Sequence, residues 1–134
     1  MWNAAGSPEI LRGKDAVLRR HCEAVGRNEK TIERTVRVRA IIRDDPEEAQ
    51  RVWDAQMAYN KVPGQQKHWF SGGTPGQLVA LLRDYVSAGF TTAIAELATP
   101  FDAETIDRLA TEVWPLIARS NGGSSPGGPR RAVS

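Results

Sequence analysis

Arg37, Arg39 and Arg43 fall on alternate positions of the run Val36-Arg37-Val38-Arg39-Ala40-Ile41-Ile42-Arg43. That spacing sets side chains on one face of an extended strand. A row of guanidiniums near a cavity mouth can hold an anionic cofactor tail; without a cavity it is a solvated face. Gly72-Gly73-Thr74-Pro75 has the small residues and the helix start that can cradle a phosphate, since helix N-termini bind anions. Phosphate-binding glycine loops usually follow a strand, however, and this one follows a polar stretch, so a plain helix cap is the competing account. Asp44, Asp45, Glu47 and Glu48 form an acidic run that could attract a cation. A helix start with carboxylates matched to its dipole explains all four.

His21 and His68 are the two histidines, far apart and without a His-x-x-x-His or carboxylate cluster, so no metal site is expected. His68-Trp69-Phe70 could contact a substrate or anchor its own loop. Cys22, the single cysteine, excludes an intrachain disulfide and a thiolate metal framework. Its register with Leu11, Leu18 and Val25 makes it a core residue rather than a reactive thiol. Nothing in the spacing resembles a Ser/His/Asp or Cys/His constellation.

The elements that must position these residues follow from capping and periodicity. Residues 7–26 are expected to be a helix capped by Ser7, with Pro8 in its first turn, Ile10, Leu11, Val17, Leu18, Cys22 and Val25 as its apolar stripe, and Gly26 as its stop. Residues 35–43 alternate as a strand. Asp45 caps a helix to about residue 60 with Ala49, Val52, Trp53 and Met57 inward, stopped by Pro63 and Gly64. Thr74 caps another, with Leu78, Val79, Leu81, Leu82, Tyr85 and Val86 inward and Gly89 ending it. Residues 91–97 are expected to be a short strand buried on both faces, as in a parallel sheet. Asp102 caps the last helix, with Ile106, Leu109, Val113, Leu116 and Ile117 as its stripe, and Pro115 should disturb that helix. Residues 1–119 are read as one domain and residues 120–134, rich in Gly, Ser and Pro, as a disordered tail.

The order is α/β, with parallel strands and crossover helices. Two confident strands are too few for a closed core, so partner structure is expected from elsewhere. With 134 residues, 40% hydrophobic and 25% charged, the chain suits a single globular domain. Net charge is +2, divided as +5 over residues 1–43, −5 over 44–119 and +2 in the tail. The basic segment carries interspersed acids and no aromatic interleaving, which argues against nucleic acid. No membrane span or secretory signal is read, so a cytoplasmic location is expected.

Several stretches together resemble the bacterial luciferase-like oxidoreductases, most closely the deazaflavin-dependent branch. Met1-Trp2-Asn3 resembles the end of a barrel strand in that family, and Leu18 to Arg27 its next helix with a Gly-Arg ending. Ile32-Glu33-Arg34-Thr35-Val36 resembles the approach to the following strand, and Gly73-Thr74-Pro75-Gly76-Gln77-Leu78 a helix start. Ser87-Ala88-Gly89-Phe90 leads into a last strand, and Glu112-Val113-Trp114-Pro115-Leu116-Ile117 resembles the terminal helix. Each stretch alone is a cap or a strand lead-in; their order and spacing carry the resemblance, over roughly residues 1–118.

The resemblance implies a partial (β/α)8 TIM-type barrel, its C-terminal βα units only. It implies hydride transfer between a reduced deazaflavin, coenzyme F-420, or alternatively flavin mononucleotide (FMN), and a small organic substrate, as in the family's oxidoreductases and monooxygenases. Trp2 and Asn3 would lie at the rim of the substrate pocket, because barrel sites gather at strand C-terminal ends; a frayed terminus with an exposed aromatic is the other account. The segments that hold the cofactor in the family have no counterpart here, so the chain is expected to be catalytically incomplete alone. The alternative is a stand-alone α/β binding or interaction module needing self-association or a partner chain; a non-functional remnant is a third.

Overall fold

The computed structural model describes residues 1–62 and 73–120. In chain order the elements are β1 (Trp2–Ala4), α1 (Pro8–Ala24), a 3-10 turn (Glu29–Thr31), β2 (Arg34–Val38), α2 (Pro46–Tyr59), α3 (Pro75–Ser87), β3 (Thr92–Ala95), α4 (Ala103–Arg108), a π-helical turn (Leu109–Val113) and α5 (Trp114–Ser120). The strands form one parallel sheet in the order β1-β2-β3. Thr35 stands opposite Asn3 on one side and Thr92 on the other. The mixed α/β class and the parallel pairing agree with the sequence reading, and the strand end expected at Met1–Asn3 is β1.

Local chemistry sets the helix boundaries. Ser7 Oγ accepts from the Ile10 N–H at 3.3 Å, and Asp45 Oδ1 from the Glu47 N–H at 2.9 Å. α3 opens on a full capping box: Thr74 Oγ1 accepts from the Gln77 N–H at 3.3 Å while Gln77 Oε1 accepts from the Thr74 N–H at 2.9 Å. Gly26, at φ +67°, ends α1, and the Arg27 N–H reaches back to the Cys22 carbonyl at 2.8 Å. Pro115 has no N–H to give the helix. The chain accommodates it with the π turn just before, where the Trp114 N–H bonds to the Leu109 carbonyl five residues back.

The main core lies on one face of the sheet. Val36 and Val38 of β2 pack there with Leu11 of α1, Leu78, Val79 and Tyr85 of α3, Phe90 and Val113. α1 and α3, which connect the strands, therefore cover the same face. A second cluster joins Ile41 to Ala49, Trp53 and Met57 of α2. α2 is tied to the loop after β3, its Gln56 Nε2 donating to the carbonyls of Ala98 at 3.1 Å and Pro100 at 3.0 Å.

Three expectations are corrected. β2 stops at Val38 instead of running to residue 43. Ile41 turns under α2, and the chain continues as a single bridge between Ile42 and Gly73. β3 is shorter than residues 91–97 and exposed along most of its length rather than buried on both faces. It is an edge strand, with a neighbour only on the β2 side among the described residues. Ile10, Val17 and Val25 of α1, Val86 of α3, and Ile106 and Leu116 of the last helical stretch are exposed, not inward. The apolar sector of each helix is wider than the part of it that packs, which leaves these side chains accessible to solvent. Pro63 and Gly64 lie outside the described residues, as do His68-Trp69-Phe70, Gly72 and the tail from residue 121.

Candidate functional site

The carboxyl ends of parallel strands are where α/β folds usually place their sites. Here that end carries two ionic groupings, one on the sheet and one beside it.

On the sheet, the register brings Asn3, Thr35, Arg37, Thr92 and Ile94 to the face opposite the main core. Thr35 is buried between its neighbours, and its Oγ1 donates to Asn3 Oδ1 at 3.1 Å. Arg39 and Arg37 both turn to Glu96, at 2.5 and 3.6 Å. Hydrogen bonding from Arg39 holds the Glu96 carboxyl below its usual pKa; partial burial opposes this, and the charges of Arg39 and Arg37 reinforce it. Thr92 Oγ1 donates to Glu33 Oε1 at 2.8 Å. The face is thus polar and mixed in charge, with its arginines engaged by a carboxylate. It could hold a polar or weakly anionic group, but it presents no nucleophile with an adjacent base.

Beside the sheet, Arg43 makes a two-pronged bond to Asp102, Nη1 to Oδ2 at 2.8 Å and Nη2 to Oδ1 at 2.9 Å. Thr105, wholly buried, donates through Oγ1 to Asp102 and accepts the Ile42 N–H at 2.9 Å. The Arg43 bonds chiefly, helped by those from Thr105, lower the Asp102 pKa, while desolvation resists. This cluster fastens the segment that follows β2 to the start of α4. It also separates Arg43 from Arg37 and Arg39, so the three do not form one cationic row.

Trp2 and Asn3 lie on opposite faces of β1. The Trp2 ring packs beside Phe90, centroids 5.5 Å apart, against the main core. Asn3 is exposed on the polar face. Any rim using both would have to gather them from two sides of the strand.

The remaining candidates resolve as structure. The Gly73-Thr74-Pro75 turn spends its helix N-terminus on Gln77, whose Oε1 would collide at 2.5 Å with a side chain at Gly73. The acidic run starts α2, and its Asp44 pairs with Arg108 at 2.5 Å. Cys22 is buried, as expected, and His21 is exposed in the last turn of α1. No group of three His, Cys, Asp or Glu among the described residues is arranged to hold a metal. No described helix is long and apolar enough to cross a membrane.

Sequence reading missed a buried grouping at the other end of β2. Arg34, buried, donates Nε to Asp15 of α1 at 2.5 Å and Nη2 to Glu29. Burial opposes its charge, but the bonds to Asp15 and Glu29 outweigh that and raise its pKa. Lying at the strand's amino end, it is a fastening rather than a site. An Asp inside an apolar helix stripe was the available signal.

A scan against protein-family models and a search of curated proteins both return no match for this chain.

Proposed function

We propose that this chain is a sector of a luciferase-like (β/α) barrel that takes part in hydride transfer between a reduced deazaflavin (coenzyme F-420), or alternatively FMN, and a small organic substrate. The observation that carries the reading is topological. Three parallel strands follow one another in chain order, and α1 and α3, one from each connection, share one face. A doubly wound sheet reverses its strand order and covers both faces; a singly wound one leaves one face to become a barrel lumen. The opposite face presents Thr35, Thr92 and Ile94, with Arg37, Arg39 and Glu96 at its carboxyl end. Branched side chains inside and polar groups at the mouth suit a barrel. Chemistry in such an enzyme belongs to the cofactor, and these residues would orient it or the substrate and exclude water.

A second reading is an α/β module completed by a partner chain. The exposed Ile10 and Val17 of α1 and Ile106 of α4 favour it.

Titration by fluorescence quenching tests the first reading. Residues 1–134 alone should bind neither coenzyme F-420 nor FMN with a micromolar dissociation constant. Supplying the amino-terminal strands of a luciferase-like barrel in trans should create saturable binding of one of them. Micromolar binding by the chain alone would show that the cofactor site is misplaced, and no binding after complementation would reject the oxidoreductase reading.

A further inference from the structure

β3 turns its one large side chain away from the helices. In the sequence Thr92-Ala93-Ile94-Ala95, the register sets Ala93 beside Val36 and Ala95 beside Val38, on the face that meets α3 and α5. Ile94 points to the opposite face and is 40% exposed. The helix-facing side of β3 is therefore only a methyl group tall where that of β2 carries valines. α3 and α5 bridge this step through Leu82 and Ile117 without filling it, and a cavity of about 270 Å³ lies between sheet and helices.

The wall is mostly apolar. No charged residue lines it. Its hydroxyls are already engaged: Tyr85 donates to the Gly6 carbonyl at 2.8 Å and Thr91 to the Arg34 carbonyl at 3.5 Å, while the Thr92 hydroxyl lies on the opposite face with Glu33. No buried side-chain nitrogen or oxygen among the described residues lacks a partner. A polar occupant would leave water for a wall that is mostly apolar and offers it no charge. The volume sets the size. About 150 Å³ of apolar cavity suffices for benzene, and drug-sized ligands need about 300 Å³ or more. The cavity opens to solvent: among its lining residues Val86 and Trp114 are 44% and 67% exposed, and Ala93 and Ala95 are exposed as well.

We propose that this cavity is a binding site for a small uncharged apolar molecule, one aromatic ring or two fused rings in size. It lies on the helix side of the sheet, away from the polar face, and does not depend on the oxidoreductase reading. A flavin or deazaflavin, with its charged tail, does not suit it.

Full-length protein is titrated with toluene, with naphthalene and, as a charged control, with 1-naphthalenesulfonate, following amide chemical shifts and the melting temperature. Toluene or naphthalene should bind saturably at submillimolar concentration, raise the melting temperature, and perturb β2, β3, α3 and α5 selectively. The sulfonate should bind about tenfold more weakly or worse, a difference of about 1.4 kcal/mol. Ala95→Leu, which fills the cavity from the sheet, should weaken hydrocarbon binding by about tenfold or more. If that variant fails to fold, Ala118→Leu fills it from α5. Absence of saturable binding, equal binding by the filled variants, or equal binding of the sulfonate would overturn the proposal.

Discussion

Thr105 offers the sharpest test of how the segment after β2 is held. It is 0% exposed, and its hydroxyl serves two partners at once, accepting from the Ile42 N–H at 2.9 Å and donating to Asp102. Thr105→Val keeps the shape and deletes both bonds. The Ile42 N–H, in a residue 1% exposed, then has no acceptor, and a buried orphan donor costs about 1–3 kcal/mol. Asp102 loses one donor but keeps both Arg43 bonds, so that loss is the smaller part. A total near 2 kcal/mol is expected, against a domain stability of about 5–15 kcal/mol. With a urea slope of about 2 kcal/mol/M, the unfolding midpoint seen by far-UV circular dichroism should fall by about 1 M. Thr105→Ser keeps the hydroxyl and removes one buried methyl, for about 1 kcal/mol, and should fall between. A Thr105→Val midpoint equal to wild type would refute the reasoning. A serine variant as unstable as the valine variant would show that the methyl, not the hydrogen bonds, matters.

Three other outcomes are expected. Asp102 and Glu96 both have lowered pKa values in the fold; a depressed carboxylate contributes stability above its unfolded pKa, about 4, and loses it as pH falls through the folded value. Urea midpoints should thus change little between pH 7 and pH 5 on account of these two groups and drop below about pH 4, and Asp102→Asn should flatten that acid limb; an unaltered limb in the variant would contradict this. Asp15→Ala leaves the buried Arg34 with Glu29 as its remaining carboxylate partner, so it should cost about 3 kcal/mol, the low end for breaking a buried pair, whereas Arg19→Ala, on the exposed side of Asp15, should cost under about 1 kcal/mol by the same urea assay. Light scattering at low micromolar concentration with a thermal melt should show dimers or larger species, or a broad transition, because both outer sheet edges lack a strand partner among the described residues; a strict monomer with one sharp transition would exclude that.

What the chain spells out locally was legible. Ser7, Asp45, Thr74 and Asp102 each cap the helix expected of them, because a cap needs only a side-chain oxygen two or three residues ahead of a free N–H. Burial was less legible where it depends on neighbours. The stripe of α1 was read correctly at Leu11 and Cys22 but not at Ile10 and Val17, since periodicity defines an apolar sector and not which part of it meets another element. Nor does alternation say where a strand stops. Ile41, an apolar residue in the arginine register, was the visible hint that β2 turns there, and the structure buries it under α2. Arg43 with Asp102 joins residues 59 positions apart, a pairing no local pattern announces. Trp2 and Asn3 were read as neighbours at a strand end; period-two geometry sends them to opposite faces.

Exposed apolar surface bears directly on the proposed barrel sector. A self-sufficient three-stranded α/β domain would turn its large helix-facing residues inward and its polar ones outward. In this chain the exposed apolar residues are distributed otherwise. Ile10 and Val17 lie seven residues apart along α1, and Ile106 belongs to α4, after β3. Exposed apolar side chains at such positions would suit contacts between successive helices of a ring. Ile94, on the face away from the helices, adds a branched apolar side chain where a lumen would bury it. A solvent-facing sheet would gain by placing a polar residue at 94, and an isolated helix would gain by placing one at 17. Both choices are coherent once further βα units, or another chain, stand on either side of these elements. A bare three-stranded domain gives no account of either.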